Sequence, residues 1–182
     1  MTLLRRMLSL LTMLWLAAGN ANAADNGSGH FRKGEHGVDV RHAIAVLRER
    51  SLDPAEDEIL VYLSDQPLDA MKAAATFDPD DSVREQYSDR SGGYVQVCIT
   101  ADGGECGRFY LHRDPGDSFN TSGYGELKLD TQTRDRIAGR WSLREPEDFF
   151  GETYDYALRF DVAIVTPPGA SLPAGGGGPG KA

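Results

Sequence analysis

The feature that most constrains the fold is a strict alternation near the end of the chain, in the segment TYDYALRFDVAIV at positions 153–165. Large apolar and aromatic side chains recur at every second position, which gives one face Tyr154, Tyr156, Leu158, Phe160, Val162 and Ile164. A period of two is typical of a β-strand with one buried face. The segment therefore predicts a long, half-buried antiparallel strand, and the chain must supply a sheet around it.

Other segments supply strands for that sheet. RIAGRWSL, at 136–143, alternates in the same way, and REPEDFFGE connects it to the final strand, so the two are expected to pair. GYGELKLD and EILVYLSD predict two more strands. VDVRHAIAVLRER, at 38–50, favours a strand with Val38, Val40, Ile44 and Val46 on one face, although its second half also suits a helix.

Helix signals are confined to one stretch. QPLDAMKAAATF, at 66–77, predicts a helix with Asp65 as its cap and Pro67 in its first turn, and DPDDSVREQYSD predicts a second short helix or turn. The fold class expected is mainly β, an antiparallel sandwich or partly closed barrel with one or two short inserted helices.

The N-terminus has the pattern of a secretory signal peptide over residues 1–23. Arg5 and Arg6 precede a short apolar run, and a small-residue site ends at Ala23. We therefore expect a periplasmic or secreted protein with no membrane span after cleavage. Composition divides the remainder into a mobile arm at 24–37, a single β-rich domain at 38–165 and a disordered Pro/Gly-rich tail at 166–182.

The charge balance narrows the classes of partner. The net charge is −9, and loss of the two arginines with the signal peptide leaves 17 basic against 28 acidic residues, or −11. Nucleic acid and anionic membrane surfaces are poor partners for such a chain. An envelope or secreted protein, or a small neutral or cationic ligand, fits better, and no cofactor is indicated.

The two cysteines, Cys98 and Cys106, flank a glycine-containing turn. A loop of Ala101, Asp102 and Gly103, with Gly103 as its left-handed residue, places the cysteines opposite each other in a hairpin, close enough for a disulfide. A redox pair favours CxxC at a helix start, and a zinc site needs about four ligands. An oxidising compartment makes the structural disulfide the preferred interpretation, with free thiols and a metal site as alternatives.

The order of motifs resembles a group of secreted bacterial proteins of uncharacterised function. The motifs are VRHAIAV, ILVYLSDQPLD, YVQVCITADGG with GRFYLH, SGYGELKL, RIAGRW and EDFFGETYDYALRFDVAI, spanning Val38 to Val165. The resemblance implies a compact β-rich domain and brings no activity with it. The cysteine pair is an addition to the group's pattern.

Catalytic and metal-binding signals are weak. His42 and His112 are candidate general bases, yet no spacing links either histidine to a nucleophile and a carboxylate. Ser64 and Ser122 lack the setting of a nucleophile elbow. Structural roles are preferred for the remaining candidates, which are His30, His36, Asp78–Ser82, Asp114–Asp117, Glu145, Glu147 and Asp148.

Aromatic residues give the best indication of binding. Adjacent Phe149 and Phe150 lie in a polar connection and cannot both point inward, while Trp141 and Tyr154 are either core residues or part of a ligand platform. The function expected is non-catalytic binding, with an inhibitor or immunity-type protein as one form of it. The alternative is an envelope hydrolase that uses His42 or His112 with carboxylates.

Overall fold

A computed structural model describes residues 26–49, 56–87, 91–112, 117–120 and 125–167, without the side chains of residues 108–112, 117–120 and 149. The expected signal peptide, residues 1–23, lies outside these ranges, as does the tail from residue 168. In the described ranges the chain is mainly β with two short helices, and its mixed sheet is not closed into a barrel. The predicted fold class is confirmed.

Eleven strands and two helices occur in these ranges. They are β1 Gly27–Lys33, β2 His36–Val40, β3 His42–Arg48, β4 Glu58–Ser64, α1 Ala70–Ala74, α2 Pro79–Gln86, β5 Gly93–Thr100, β6 Glu105–His112, β7 Asp117–Asn120, β8 Glu126–Gln132, β9 Arg136–Ser142, β10 Glu147–Phe149 and β11 Glu152–Val165. The main strand order is β2-β1-β11-β3-β4-β5-β6-β7, while β9 and β10 also pair with β11, and β8 pairs with β9. Neither helix is long and apolar enough to cross a membrane.

The alternating segment forms β11, which joins the two halves of the sheet. Most of its length pairs antiparallel with β1 on one side and β9 on the other, as the sequence predicted for β9. Its last residues, Ile164 and Val165, instead pair in parallel with Ala45 and Val46 of β3. The predicted inward face is buried at every position from Tyr154 to Val162 and partly buried at Ile164.

Two apolar cores lie on opposite faces of β3, β4 and β5. The first lies against the inner face of β11 and includes Phe31, Val38, Ala45, Val61, Val97, Ile137, Trp141, Tyr156 and Phe160. The second lies against α1 and α2 and includes Ile44, Val46, Leu60, Tyr62, Val83, Tyr87, Tyr94 and Cys98. Each fully buried large side chain contributes about 1.5–3 kcal/mol to folding, so the central strands are stabilised from both sides.

The expectation of a mobile arm at 24–37 is wrong for the residues described there. β1 and β2 form a hairpin beside β11, and Phe31 is fully buried with its ring stacked at 5.7 Å from Tyr156. At Gly29 the φ angle is +118° and an added Cβ would lie 1.9 Å from the carbonyl oxygen of Ala157. Glycine is required by this close approach of two backbones, which a sequence pattern cannot reveal.

The segment 38–50 is strand, as favoured, but its faces differ from the prediction. Arg41 separates β2 from β3. Val38 and Val40 face the first core together with Ala43, whereas Ile44 and Val46 face the second. A single period of two cannot continue through a break between strands, so the grouping of Val40 with Ile44 is wrong.

The cap assigned to the first helix is also wrong. α1 begins after Asp69, whose Oδ1 accepts a hydrogen bond from the backbone N–H of Lys72 at 2.9 Å. Asp65 instead accepts hydrogen bonds from the hydroxyl of Tyr87 at 2.9 Å and from the N–H of Gly93 at 3.3 Å. Asp65 therefore ties the start of β5 to the helical layer.

The disulfide between Cys98 and Cys106 is confirmed, with the Cα atoms 5.0 Å apart. Gly103 has the predicted left-handed conformation, with φ at +88°. The register differs from the prediction, since Cys98 pairs with Gly107 and Cys106 is the extra residue of a bulge next to Ile99. The bulge brings Cys106 back towards Cys98, which lies in the second core.

Candidate functional site

The structure does not bring the candidate catalytic residues together. His42 pairs across the strands with Ser64, but Ser64 is fully buried and its hydroxyl donates to the carbonyl of Gln66 at 2.7 Å. His112 pairs with Gly93 at the end of β6, three strands from His42, or roughly 14 Å at the usual spacing. Ser122 lies outside the described residues.

The candidate metal ligands are also dispersed. His30 lies in β1 with its Nε2 3.1 Å from Asp155, and His36 lies beyond the hairpin turn in β2. Asp78 caps α2. In the ranges that the structure describes, the potential ligand atoms that come together belong to Glu58, Cys98 and Cys106. The sulfur atoms of Cys98 and Cys106 are joined in the disulfide, so these two residues are not thiolate ligands.

The acidic loops have structural roles where they are described. Glu147 accepts a hydrogen bond from the hydroxyl of Tyr154 at 2.9 Å, and Asp148 accepts one from the N–H of Gly151 at 3.1 Å. Residues 114–116 lie outside the described ranges, and Asp117 begins β7. Glu145 is exposed in the connection before β10.

A polar cluster that no motif of the sequence indicates lies between α2 and the sheet. Asp80 accepts a hydrogen bond from the hydroxyl of Tyr62 at 2.5 Å and lies 3.4 Å from Arg48, which also binds Glu58 through its Nε at 2.9 Å. Burial raises the pKa of the Asp80 carboxyl above its usual range, and burial next to that carboxylate raises the pKa of Tyr62. These contacts hold α2 on the sheet.

Two of the aromatic candidates are core residues. Trp141 and Tyr154 are almost completely buried, and the Trp141 ring lies 3.9 Å from that of Tyr156. A surface binding role for Trp141 and Tyr154 is therefore wrong. Their positions on the inward faces of β9 and β11 already follow from the alternation of the two segments.

Phe150 is instead placed at the surface. β10 and the start of β11 pair antiparallel, with Phe149 opposite Glu152, so Phe150 and Gly151 form a two-residue turn. Their φ angles are +54° and +84°, the pattern of a hairpin turn with both central residues left-handed. The Phe150 residue is 92% exposed. The side chain of Phe149 lies outside the described part of the structure.

The neighbouring turn between β1 and β2 contacts the β10–β11 hairpin that carries Phe150. The N–H of Gly34 donates to the carbonyl of Thr153 at 2.8 Å, and the Lys33 ammonium lies 2.7 Å from a carboxylate oxygen of Glu152. We call residues 33–35 and 144–152 the Phe150 tip. It contains five acidic residues and two basic ones, so an exposed aromatic ring stands among mainly negative charges.

Two further large apolar side chains are exposed in the described ranges, Phe77 and Met71. Both lie in or next to α1, in the helical layer. Neither has a left-handed backbone, so Phe77 is a natural control for Phe150.

Comparison of the chain with protein-family models, with curated proteins and with solved structures gives no match.

Proposed function

We propose that this protein is an exported, non-catalytic binding domain, periplasmic or secreted, that engages a protein partner through the Phe150 tip. An inhibitor or immunity-type role, in which the domain occupies a basic toxin or lytic enzyme, is the form of this function that best suits the charge of the chain. The signal-peptide pattern of residues 1–23 supports export.

The observation that carries the proposal is the backbone of Phe150. Among the described non-glycine residues it is the one with a positive φ. A bulky residue in this conformation costs of order 1 kcal/mol or more. With 92% of the residue exposed, burial returns little of that cost. The exposed ring buries little apolar surface in the fold, which supports a role in contacting another molecule.

The surroundings of Phe150 indicate the chemistry of the partner. An aromatic anchor that enters a recess, surrounded by charged residues at the rim, is a common arrangement of binding hot spots. The rim here is mainly acidic through Glu145, Asp148 and Glu152. We therefore expect a partner with an apolar recess in a basic surface, with electrostatic attraction that speeds association.

The hydrolase alternative has less support. It requires His42 or His112 near an acid and a hydroxyl that can act as nucleophile, and the hydroxyl closest to His42 in register is the buried, hydrogen-bonded Ser64. Two grooves in the described ranges, both on the outer face of β1, β9 and β11, have neither histidine in their lining.

The test is capture from an envelope extract of the producing cell with the oxidised domain, residues 24–182, immobilised. Wild type is compared with Phe150→Asn and with the control Phe77→Asn, and the affinity of any purified partner is then measured by calorimetry. We expect a partner that binds wild type and Phe77→Asn equally and binds Phe150→Asn at least tenfold more weakly. Equal affinity for all three proteins would remove the tip as the binding surface.

A further inference from the structure

The outer face of the sheet carries a row of basic side chains that the composition does not predict. In the register of the strands, Ser28 of β1 lies opposite Arg159 of β11, Arg159 lies opposite Arg140 of β9, and Arg140 lies opposite Lys128 of β8. Arg159 is exposed between the buried residues Leu158 and Phe160 of β11, so its side chain is on the face away from the first core. We call the three basic residues, Arg159, Arg140 and Lys128, the cationic row.

The cationic row is electrostatically unfavourable for the fold. Directly opposed side chains on antiparallel strands have Cβ atoms about 4.5–5.5 Å apart, and like charges in such pairs destabilise the sheet. The chain has 28 acidic and 19 basic residues, so acids for alternating pairs are plentiful. Three cations on three adjacent strands are therefore the opposite of what stability alone favours.

Neighbouring acids neutralise the row incompletely. Lys128 forms an ion pair with Glu126 at 2.9 Å, but Arg140 and Asp130 are 3.6 Å apart, beyond hydrogen-bonding distance. Arg159 has no hydrogen-bond or ion-pair partner among the residues that the structure describes. Within the described ranges, therefore, no acid is paired with the Arg159 guanidinium, and the Arg140 guanidinium is only loosely paired.

Arg136, on the same face, differs from Arg159 because its guanidinium is paired with a carboxylate. Its Nε and Nη2 donate to the two carboxylate oxygens of Asp161, each at 2.7 Å. The pair lowers the pKa of the Asp161 carboxyl and raises the pKa of the Arg136 guanidinium. The Arg136–Asp161 pair therefore provides a matched control for Arg159, and both partners are replaced together because Asp161 lines the groove beside Arg159.

Small side chains leave space on both sides of the row. On one side is a groove of about 190 Å³ whose lining includes Ser28, Gly29, Ser142 and Ala157, together with Arg140 and Arg159. On the other side is a groove of about 350 Å³ that also includes Ser28 and Arg159, next to Asn26, Ala138 and Gly139. Two carboxylates line this groove as well, Asp130 and Asp161, and each lies beside an arginine. The two guanidinium groups thus lie beside shallow grooves that are lined largely by small residues.

We propose that the cationic row binds a linear acidic polysaccharide, with successive sugar carboxylates against Arg159 and Arg140. The planar guanidinium presents paired N–H donors that match a carboxylate. The hydroxyls of Ser28 and Ser142 provide hydrogen-bonding groups for sugar hydroxyls in the grooves. Lys128 extends the positive row across a further strand, about 5 Å away.

A thin polymer fits this face better than a broad partner. Its contacts stay close to the row, whereas a large polyanion would also face the acidic remainder of the surface, and charges more than about 10 Å apart are largely screened. Neither groove has a tryptophan or tyrosine in its lining on which a base could stack, and neither has an exposed aromatic anchor of the kind that protein interfaces use.

The site is separate from the Phe150 tip. Arg159 lies seven residues along β11 from Glu152, or roughly 23 Å at the usual rise of a strand. Polysaccharide binding and partner binding can therefore be abolished independently of each other.

The experiment is calorimetric titration of the oxidised domain, residues 24–182, with tetragalacturonate at low and at physiological salt. Neutral galactotetraose, polyphosphate and polyglutamate are titrated in parallel. We expect tetragalacturonate to bind best, with affinity that falls as salt rises. Arg159→Gln and Arg140→Gln are each expected to weaken it at least tenfold, and the double variant Arg136→Gln/Asp161→Asn to change it less than twofold. Melting temperatures of the variants check folding, and Arg159→Gln is expected to melt no lower than wild type because a like-charge contact is relieved.

Four results would overturn the proposal. They are no binding of tetragalacturonate, equal binding of galactotetraose, equal weakening by the double variant Arg136→Gln/Asp161→Asn, and tighter binding of polyphosphate or polyglutamate. The last result would reassign the row to a phosphate polymer or to an acidic protein segment.

Discussion

Replacing Phe150 by asparagine is expected to stabilise the protein while it removes the binding surface. Asparagine adopts the left-handed conformation far more readily than phenylalanine, because its short polar side chain bonds to the local backbone. The φ angle of Phe150 is +54°, and the following Gly151 already supplies the second left-handed residue of the turn. The substitution therefore removes strain without a change in the shape of the hairpin.

The magnitude follows from the exposure of Phe150. Relief of the left-handed conformation is worth of order 1 kcal/mol. An aromatic residue can bury about 150–250 Å², and at 92% exposure only a small part of that area is withdrawn from water. At about 25 cal/mol per Å², burial of this small area stabilises wild type by about 0.3–0.5 kcal/mol, which the substitution removes. The net gain is about 0.5–1 kcal/mol, which for a domain of this size raises Tm by roughly 2–5 °C.

The measurement is thermal and urea unfolding of the oxidised proteins, followed by circular dichroism. Phe77→Asn serves as the control, since Phe77 is fully exposed and its backbone is not left-handed. Its free energy of unfolding is expected to lie within about 0.5 kcal/mol of wild type. A Tm for Phe150→Asn that is 2 °C or more below wild type would refute the reasoning, because it would mean that the ring stabilises the fold.

Three further outcomes are expected. Reduction of the Cys98–Cys106 disulfide, with its sequence separation of 8, should lower the free energy of unfolding by about 2–3 kcal/mol in urea titrations; a decrease below 1 kcal/mol would contradict the loop-entropy argument. Trp141→Ala should cost about 3–5 kcal/mol in the same assay, and a cost under 1.5 kcal/mol would contradict its core position. Asp80 has a folded pKa raised above the usual 3.8, so it favours folding below that pH and loses this contribution as pH rises through the folded value. Tm measured from pH 4 to 6 should therefore fall more for wild type than for Asp80→Asn, and parallel curves would show that burial of Asp80 has no net effect.

The two proposed sites share one physical property. Phe150 holds an unfavourable backbone conformation and exposes an aromatic ring, while Arg159 faces another arginine across the strands without a paired acid in the described ranges. Each arrangement has a cost in stability. Strain and like-charge contacts that a protein retains are often located at functional sites, and Phe77 and the Arg136–Asp161 pair are controls without that cost.

Where one face of a strand is buried against a continuous core, the sequence alone was sufficient to predict the strand. The alternation of β11 and β9 predicted both strands and their pairing, although it left open whether Trp141 and Tyr154 are core residues or a ligand platform. Gly103 predicted the turn of the cysteine hairpin in the same way. The signals are local, since the period of two and the left-handed turn residue are each fixed by a few adjacent positions.

Contacts between distant segments decided the rest. β1 has no alternation, and it is a strand because β2 and β11 take its backbone hydrogen bonds and the core takes Phe31. The bulge at Cys106 shifted the predicted register by one residue. The negative net charge predicted that polyanions are poor partners. Pairing of β8, β9 and β11 nevertheless aligned Lys128, Arg140 and Arg159, which are far apart in the chain. Local patterns thus determined which segments are strands and which faces they bury, while register and long-range pairing, which depend on the whole sheet, determined which side chains meet.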